Sequence, residues 1–453
     1  MSNKVVLSTL VNKIQGLLKN KVIGNILIVG SVTLFIKGLG FYKETLVASN
    51  FGLSMILDTF FIAFLIPGFI QNVFLQSFNT VFIPNYISET KSENNNIGSF
   101  QAMGFVTSIL AATLFSLVAI LGTDIYLEAF FPGKEDFYYD LVKSQFYIIL
   151  PSLYFWGLSS ILASLLNINN EFAYSSFRGV FIAITTIVAL LFFRETLGDM
   201  LLAISTLIGS FFGFIYLLII CLRKNIIKLS SPDFRSRNAI IMFKQIPAKI
   251  TSSTFAGLHG VVDQFFAAQL AIGSIAALNY ALKIPAFAIG ILVIAMNNVL
   301  LPYFSKSVLE NREKAFEQLF KILKIIFAIS TVIAVAGILT SDFFVSLFFE
   351  RNEFTSEDSI LVSGLQKIIL IYIPFKISGM LLVNFLTSIN KNSYMAIVSF
   401  VSIVLNVILN FILVKPYGVF GIAIATTVVV ILRNLILFYF TKVQKNKAYN
   451  IES

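Results

Sequence analysis

The sequence predicts an all-α, polytopic membrane protein, and three observations lead to that prediction. Of the 453 residues, 57% are hydrophobic and only 12% are charged, whereas soluble domains contain about 25% charged residues. Apolar runs of about 20 residues, long enough to cross the hydrocarbon core of a bilayer, recur along the whole chain. The two halves of the chain also resemble each other in sequence. We therefore expect a bundle of transmembrane helices with little room for a soluble domain.

The apolar runs define twelve predicted spans. They cover residues 23–48, 55–86, 99–122, 140–166, 173–193, 199–222, 240–270, 275–303, 318–340, 359–388, 394–414 and 418–440. Before the first span, residues 1–22 place Val6, Leu10, Ile14 and Leu17 at helical intervals with lysines between them. This pattern predicts an amphipathic helix on the membrane surface rather than a cleaved signal peptide.

The distribution of basic residues predicts the orientation of the chain. If the N-terminus is cytoplasmic, the cytoplasmic segments hold nineteen Lys and Arg residues and the outer loops hold four. This asymmetry satisfies the positive-inside rule and places both termini in the cytoplasm. The net charge of +10 is thus explained by topology. A nucleic-acid partner is disfavoured, because the basic residues are dispersed among loops.

An internal repeat relates the two halves of the chain. Pro67 and Pro84 superpose on Pro285 and Pro302 at a common offset of 218 residues, and Asn79 then falls on Asn297. Near the end of each half, "GDMLLAIST" matches "GVFGIAIAT" at an offset of 220 residues. A weaker match, "INNEF" with "INKNSY", lies between these anchors in chain order. Three matches in order at nearly one offset indicate a duplicated unit.

The repeat predicts the domain organisation. Each copy contains six spans, an even number, so both copies enter the membrane in the same direction as parallel repeats. We expect a surface segment (1–22), an N-lobe (23–222), a cytoplasmic linker (223–238), a C-lobe (239–445) and a cytoplasmic tail (446–453). Two such lobes around a central cavity are typical of transporters. Channels and receptors remain open but are less favoured.

Six ionisable residues lie within predicted spans and define a candidate site. They are Lys37, Lys43, Glu44, Asp58, Asp263 and Lys283. A charge deep in a membrane helix costs at least about 2.5 to 3.5 kcal/mol on insertion scales, so each must face water, a partner or a ligand. All six lie in the two corresponding quarters of the repeat, which predicts convergence at the lobe interface. The alternative is that they pair with one another and only hold helices together. Lys367, Lys376 and Arg433 remain without an assignment.

The second span adds prolines and amides to this candidate site. Pro67 and its repeat mate Pro285 are predicted helix bends beside the cavity, because proline frees a backbone carbonyl that is tolerated where it lines water or is buried in protein. Gln71 and Asn72 follow Pro67, with Gln76 and Asn79 further along. These amides either hydrogen-bond a polyhydroxylated ligand or bridge neighbouring helices.

Other kinds of chemistry are disfavoured. The single Cys221 excludes an internal disulfide, and the single His259 cannot build a multi-histidine metal site. We find no phosphate-binding glycine loop and no set of nucleophile, histidine and acid. The sequence therefore predicts no catalytic residues, no metal site and no cofactor, and the protein is not expected to be an enzyme. Any energy input should come from an ion gradient or the membrane potential.

At this point the sequence resembles a known family. The block "IKGLGFYKETLVASNFGLSMILDTFFIAFLIPGFIQNVFLQSFNTVFIP" is similar to the opening of the MurJ/MviN family of lipid II flippases, within the multidrug/oligosaccharidyl-lipid/polysaccharide exporter superfamily. The likeness continues at "NYALKIPAFAIGILVIAMNNVLLPYFSK" and "YGVFGIAIATTVVVILRN" and covers most of the chain. The resemblance implies a V-shaped, MATE-like bundle of two lobes in the bacterial cytoplasmic membrane. It also implies transport of a polyprenyl-pyrophosphate glycan from the inner to the outer leaflet by alternating access.

The resemblance also implies roles for individual residues. Lys37, Lys43 and Lys283 stand where the family usually has arginines, and Asp58 matches a family aspartate. The implied substrate-binding set is Lys37, Lys43, Asp58, Lys283, Gln71 and Asn72, with the cations accepting the pyrophosphate. The family typically has an arginine pair where this chain has Gln71 and Asn72. The chain also ends soon after its twelfth span, whereas well-known lipid II flippases have two more helices.

Two alternatives remain open at this stage. The cargo is lipid II or the precursor of another surface polysaccharide, such as O-antigen or capsule. Within the same superfamily, a multidrug extruder would use Glu44, Asp58 and Asp263 to couple H⁺ or Na⁺ entry to drug export. Three lysines in the predicted cavity favour an anionic cargo over a cationic one. The expected partners are thus a lipid-linked oligosaccharide, membrane lipids and a coupling ion.

Overall fold

The computed structural model describes residues 21–92, 96–389 and 391–452. Most of the predicted surface segment 1–22 and the last residue of the predicted tail 446–453 lie outside these ranges. The described chain is almost entirely helical. Its one β-type interaction is an isolated bridge between Arg351 and Phe354, so the prediction of an all-α protein is confirmed.

Within the described ranges, twelve long helical segments, α1 to α12, follow one another along the chain, and several of them are interrupted. Their bounds are α1 Lys21–Phe51, α2 Met55–Thr90, α3 Ile97–Leu121, α4 Asp136–Ile168, α5 Phe172–Phe192, α6 Arg194–Arg223, α7 Arg237–Ala268, α8 Ser274–Glu310, α9 Arg312–Phe349, α10 Ser356–Ile371 with Ile373–Ser388, α11 Asn392–Tyr417 and α12 Val419–Glu452. A short helix, Thr123–Phe130, lies between α3 and α4. Each predicted span overlaps one of the twelve segments.

Most of these segments can cross a membrane. Among the described residues, eight helices are long and apolar enough to do so, and α10 makes a ninth if its two halves, which meet at 42°, form one span. The remaining segments α1, α7 and α8 are the ones that contain Lys37, Lys43, Glu44, Asp263 and Lys283. Five of the six candidate charges therefore lie in three of the twelve segments, and the sixth, Asp58, lies in α2.

Local sequence explains where several helices begin. The Ser54 hydroxyl accepts the Leu57 N–H at the start of α2, and Asn96 does the same for Ser99 at the start of α3. Thr355 and Asp358 form a reciprocal capping box at the start of α10. Gly52, between α1 and α2, has a φ of 53°, a left-handed conformation that glycine adopts without steric cost. These signals fix short connections between antiparallel neighbours.

The outward-facing side chains show which helices meet lipid. Leu121 of α3, Leu339 of α9 and Phe411 of α11 are 80%, 78% and 70% exposed. Large apolar side chains at this exposure are unfavourable in water but match the hydrocarbon core of a bilayer. The buried polar side chains instead lie between helices, both within each half of the chain and where the two halves meet.

The halves meet along two seams at opposite ends of the bundle. At one end, the start of α2 contacts the turn before α8, and Asn352 donates a 2.8 Å hydrogen bond to the Ser49 hydroxyl. At the other end, the second part of α2 packs against α7. Three side-chain pairs connect α2 to α7 there: Ser77 with Ser253 at 2.8 Å, Asn85 with Gln245 at 2.9 Å, and Glu89 with Asn238 at 2.7 Å.

Candidate functional site: a lysine-rich cavity between α1, α5 and α8

A cavity of about 420 Å³ lies between α1, α5 and α8. Its walls include small or apolar residues of all three helices, among them Gly40, Gly179 and Ala286. Its charged residues are Lys37, Lys43, Glu44 and Lys283. Four of the six embedded charges predicted from the sequence thus line one cavity, between the first half of the chain and the second.

Glu44 holds two of the lysines together. Its Oε1 lies 2.6 Å from Lys43 Nζ and its Oε2 lies 3.0 Å from Lys283 Nζ. The side chains of Lys43, Glu44 and Lys283 are 22%, 16% and 26% exposed, so this cluster is largely shielded but still open to the cavity. Because Lys283 belongs to α8 and the other two belong to α1, the carboxylate joins the two halves of the chain.

Lys37 completes the cluster from one side of the cavity. It is half-buried, and no ion pair is recorded for it within the described ranges. A Cβ atom added at Gly290 would lie 2.8 Å from Lys37 Nζ. The absence of a side chain at Gly290 therefore leaves α8 room for the ammonium group. Three lysines against one glutamate give the cluster a formal charge of +2.

Aromatic rings pack beside this cluster between α1, α8 and α9. Phe41 contacts Phe287 at 5.7 Å and Phe348 at 4.9 Å between ring centroids. The rings of Tyr280 and Phe349 lie 5.1 Å apart between centroids, with their planes tilted at 56°. The rings form an apolar layer toward the Gly52–Gly273 end, which limits water on that side and strengthens electrostatic interactions in the cavity.

Asp58 lies apart from the lysine-rich cavity. It is only 3% exposed. Its Oδ2 accepts the backbone N–H of Gly273 at 2.7 Å, and its Oδ1 accepts that of Ala276 at 2.8 Å. These are free N–H groups at the start of α8, where the helix dipole favours a negative charge. In this arrangement Asp58 caps a helix of the other half of the chain.

Gln71 and Asn72 also lie outside the cavity walls. They begin a π-helical turn, Gln71–Leu75, which interrupts α2 four residues after Pro67. Such turns are frequent at functional sites because they re-aim side chains. Asn72 is exposed and Gln71 is half-buried. Pro285 is buried within α8, two residues after Lys283.

Asn79, farther along α2, bridges two helices. Asn79 hydrogen-bonds Ser160 through its Nδ2 and accepts the Ser164 hydroxyl at 3.1 Å through its Oδ1. Both serines belong to α4. Of the two roles considered for the α2 amides, Asn79 therefore has the structural one.

Asp263 is the centre of a separate polar cluster between α7, α11 and α12. Its Oδ1 accepts Nδ2 of Asn406 at 3.2 Å and of Asn410 at 3.1 Å. Its Oδ2 accepts the Thr426 hydroxyl at 2.7 Å. The amide oxygens of Asn406 and Asn410 are buried without a hydrogen-bond partner. This cluster shares no residue with the lysine-rich cavity.

Sequence reasoning did not identify the partners of Asp263. Asn406 and Asn410 are spaced four residues apart in an otherwise apolar helix, which places both amides on one face of α11. That spacing was the available signal. Buried amides at membrane depth need partners, and these two find a carboxylate more than 140 positions away in the chain.

Comparison with known proteins places this chain in a family. The family model "Lipid II flippase MurJ" matches residues 47–452. A probable lipid II flippase MurJ of Buchnera aphidicola subsp. Schizaphis graminum is 26% identical over 374 residues, which cover 81% of this chain and 72% of the relative.

Solved structures show the same relationship. The chain superposes on "Lipid II flippase MurJ, inward closed conformation" with a TM-score of 0.79 and 25% identity, covering 92% of this chain and 87% of that one. A MATE family transporter of the MOP superfamily in an inward-facing conformation matches with a TM-score of 0.72 at 14% identity. The match covers 94% of this chain and 100% of that one. The second match shows the shared fold alone. The chain therefore belongs to the family of the lipid II flippase MurJ.

Proposed function

We propose that this protein is a lipid II flippase of the bacterial cytoplasmic membrane, which moves the lipid-linked glycan from the inner to the outer leaflet. Family membership supports the cargo class, and the lysine-rich cavity is the observation in this structure that favours it most. The cluster has a formal charge of +2. A pyrophosphate diester carries about two negative charges at neutral pH, so the charges of cargo and cavity are complementary.

The three lysines suit a ligand with several anionic oxygens. Each ammonium is a compact cation with three rotatable donors, so it can follow a pyrophosphate group whose position changes during transport. The partly shielded cavity makes each contact stronger than it would be in water. In this proposal the lysines bind the pyrophosphate while the polyprenyl tail stays in the bilayer.

Glu44 gives the cluster a second state. Without cargo, it pairs with Lys43 and Lys283 and thereby connects α1 to α8. A bound pyrophosphate competes with Glu44 for the same ammonium groups and weakens that connection. A ligand shifts a conformational equilibrium only through such a difference in interactions between states. Cargo binding would then loosen the α1–α8 contact and permit the lobes to rock.

The lobe boundaries and orientation are part of the proposal. We assign an N-lobe to residues 23–222 and a C-lobe to residues 239–445, joined by the linker 223–238, of which residues 224–236 are non-helical. The excess of basic residues in the predicted inner segments supports cytoplasmic termini. With this orientation, the Asp58 contact closes the outer end and the α2–α7 seam closes the inner end.

The Asp263 cluster is our proposed site for a coupling cation. The carboxylate, the Thr426 hydroxyl and the two unpartnered amide oxygens supply the hard oxygen ligands that Na⁺ requires, once the amides of Asn406 and Asn410 rotate to present oxygen. The residues present thus fit a small cation. A proton carried by Asp263 itself is the alternative. A multidrug extruder shares the fold, but the family match and the cationic cavity do not favour it.

The proposal is tested by growth of a bacterium depleted of its essential lipid II flippase and expressing this protein. We expect the wild-type chain to restore growth, and Lys43→Ala and Lys283→Ala to abolish that rescue, because each variant removes a cation from the cavity. Lys143→Ala is the matched control, since Lys143 pairs at 2.7 Å with the exposed Asp124 outside the cavity. Rescue by both cavity variants at wild-type protein levels would contradict the cationic-cavity model. Failure of a well-inserted wild-type protein to rescue would exclude lipid II as cargo.

A further inference from the structure

A second cavity of about 420 Å³ lies between the second half of α10 and α12. It shares no residue with the lysine-rich cavity. Its polar residues are Lys376, Asn384, Arg433 and Asn434. Its apolar walls are formed by Phe375, Met380, Val383, Val430 and Leu437. The cavity is therefore amphiphilic, with two cations among otherwise apolar and amide side chains.

The two cations lack acidic partners. No described carboxylate lies within 4 Å of Lys376 or of Arg433. Arg433 donates one hydrogen bond, to the Ser399 hydroxyl at 3.3 Å, and its Nε is buried with no hydrogen-bond partner. Lys376 lies over the Tyr372 ring at 5.2 Å and is exposed to the cavity. The site thus has unused donors from both side chains.

Lys367 shows how the same helix treats a cation that has only a structural role. It precedes Lys376 on α10, and its Nζ contacts both oxygens of Asp342 at 2.7 Å. A cation in a membrane span is costly unless a partner, water or a ligand compensates it. Lys367 has such a partner within the protein, whereas Lys376 and Arg433 face a cavity.

Asn434 and Gly379 determine how closely α10 and α12 approach each other beside the cavity. Asn434 donates through Nδ2 to the Phe375 carbonyl, which connects α12 to α10. A Cβ atom at Gly379 would lie 3.1 Å from that Nδ2, closer than an ordinary contact. Glycine at this position therefore lets the two helices approach while Asn434 keeps its hydrogen bond. The guanidinium and the ammonium are then presented to the same enclosed space.

We propose that this cavity is a second anion site, which binds the phosphate of an amphiphilic phosphate ester. The Arg433 guanidinium supplies parallel N–H donors that match phosphate oxygens, and Lys376 supplies a second cation. The apolar walls accept a hydrocarbon portion of the ligand. The ligand is a polyprenyl phosphate or a bilayer phospholipid, which share this chemistry. The site does not depend on the identity of the transported cargo.

The test uses the purified full-length protein in a neutral detergent and two probes, farnesyl pyrophosphate and dihexanoyl phosphatidylglycerol. Binding is measured by calorimetric titration of the wild type and of Lys376→Gln, Arg433→Gln and Arg433→Lys. Lys367→Gln is the matched control on the same helix. Thermal unfolding without ligand shows whether each variant is folded. If Arg433→Gln does not fold, Arg433→Lys is used in its place, because it keeps the positive charge but lacks the parallel donors of the guanidinium.

We expect saturable binding of at least one probe to weaken on the order of tenfold in Lys376→Gln and in Arg433→Gln, with a smaller loss in Arg433→Lys. Lys367→Gln should bind as the wild type does. Farnesyl pyrophosphate is also expected to bind in the lysine-rich cavity, so its titration should show two classes of binding site. Only the class formed by Lys376 and Arg433 should be lost in the Lys376 and Arg433 variants. Preference for farnesyl pyrophosphate at that class assigns it to a polyprenyl ligand, and preference for phosphatidylglycerol assigns it to a membrane lipid. Binding of both probes that is unchanged in folded Lys376 and Arg433 variants would overturn the proposal.

Discussion

Glu44 and Lys283 join α1 to α8 through a contact of 3.0 Å between Oε2 and Nζ, while the other carboxylate oxygen lies 2.6 Å from Lys43. The glutamate therefore occupies the position that an anionic cargo needs. Its charge lowers the positive potential of the cavity, and its geometry holds two helices together. These two effects can be separated by a substitution that preserves shape.

Glu44→Gln is expected to strengthen the binding of farnesyl pyrophosphate about threefold or more, because the probe no longer competes with a carboxylate for Lys43 and Lys283. Transport should slow, since the bound state becomes too stable. Calorimetric titration gives the affinity, and growth rescue reports transport. Glu171→Gln is the control, because Glu171 pairs at 2.6 Å with Lys224 outside the cavity. An affinity equal to or weaker than that of the wild type would refute the competition.

Asp58→Ala is expected to open the end of the bundle at which α2 meets the start of α8. The substitution leaves the N–H groups of Gly273 and Ala276 without their acceptor, at a cost of about 1 to 3 kcal/mol to the closed state. Opening can be measured in a Cys221→Ser background with Leu53→Cys as the reporter, because Leu53 adjoins Gly273. The reporter thiol should be labelled faster in Asp58→Ala than in the protein that retains Asp58. Asp140→Ala serves as a control with an unaltered seam. Labelling at the wild-type rate in Asp58→Ala would show that this contact does not control closure.

The sequence predicts the lysine-rich cavity better than the two other polar sites. Lys37, Lys43, Glu44 and Lys283 are conspicuous because charges are costly in apolar helices, and the repeat places α1 and α8 at the lobe interface. Asp58 presents the same signal. Its partners, however, are backbone amides more than 200 positions away, and a backbone amide has no signature in the sequence. The position of an aspartate in the sequence therefore does not show whether it caps a distant helix or binds a ligand.

The fold is predicted well for a related reason. Most of the twelve segments follow from apolar length, because the bilayer thickness sets a minimum span, whereas the charged segments α1, α7 and α8 are less apolar. The π-turn at Gln71–Leu75 does not follow from the sequence, since one extra residue in a helical turn leaves the apolar pattern almost unchanged. The α2–α7 pairs, such as Asn85 with Gln245, depend on how two distant helices are aligned. Local patterns determine the helices, whereas their alignment depends on tertiary packing.

A sodium requirement is expected to reside in Asp263. If the carboxylate and the amide oxygens of Asn406 and Asn410 bind Na⁺, adding NaCl should raise the unfolding temperature of the purified protein more than adding choline chloride does. Asp263→Asn should remove that difference, because the site loses the negative charge of the Asp263 carboxylate. Asp342→Asn keeps the site intact and should behave as the wild type. Stabilisation by Na⁺ that persists in Asp263→Asn would place the cation elsewhere.

The α2–α7 seam is expected to open during transport, and a crosslink can test this directly. The hydroxyls of Ser77 and Ser253 lie 2.8 Å apart, so cysteines at both positions are close enough to form a disulfide with little backbone movement. In a Cys221→Ser background, oxidation of the double-cysteine protein should abolish growth rescue, and a reducing agent should restore it. Each single-cysteine variant should be insensitive to the oxidant. Full rescue by the crosslinked protein would mean that α2 and α7 stay together throughout the transport cycle. The movement of the lobes would then require only the α1–α8 contact to open.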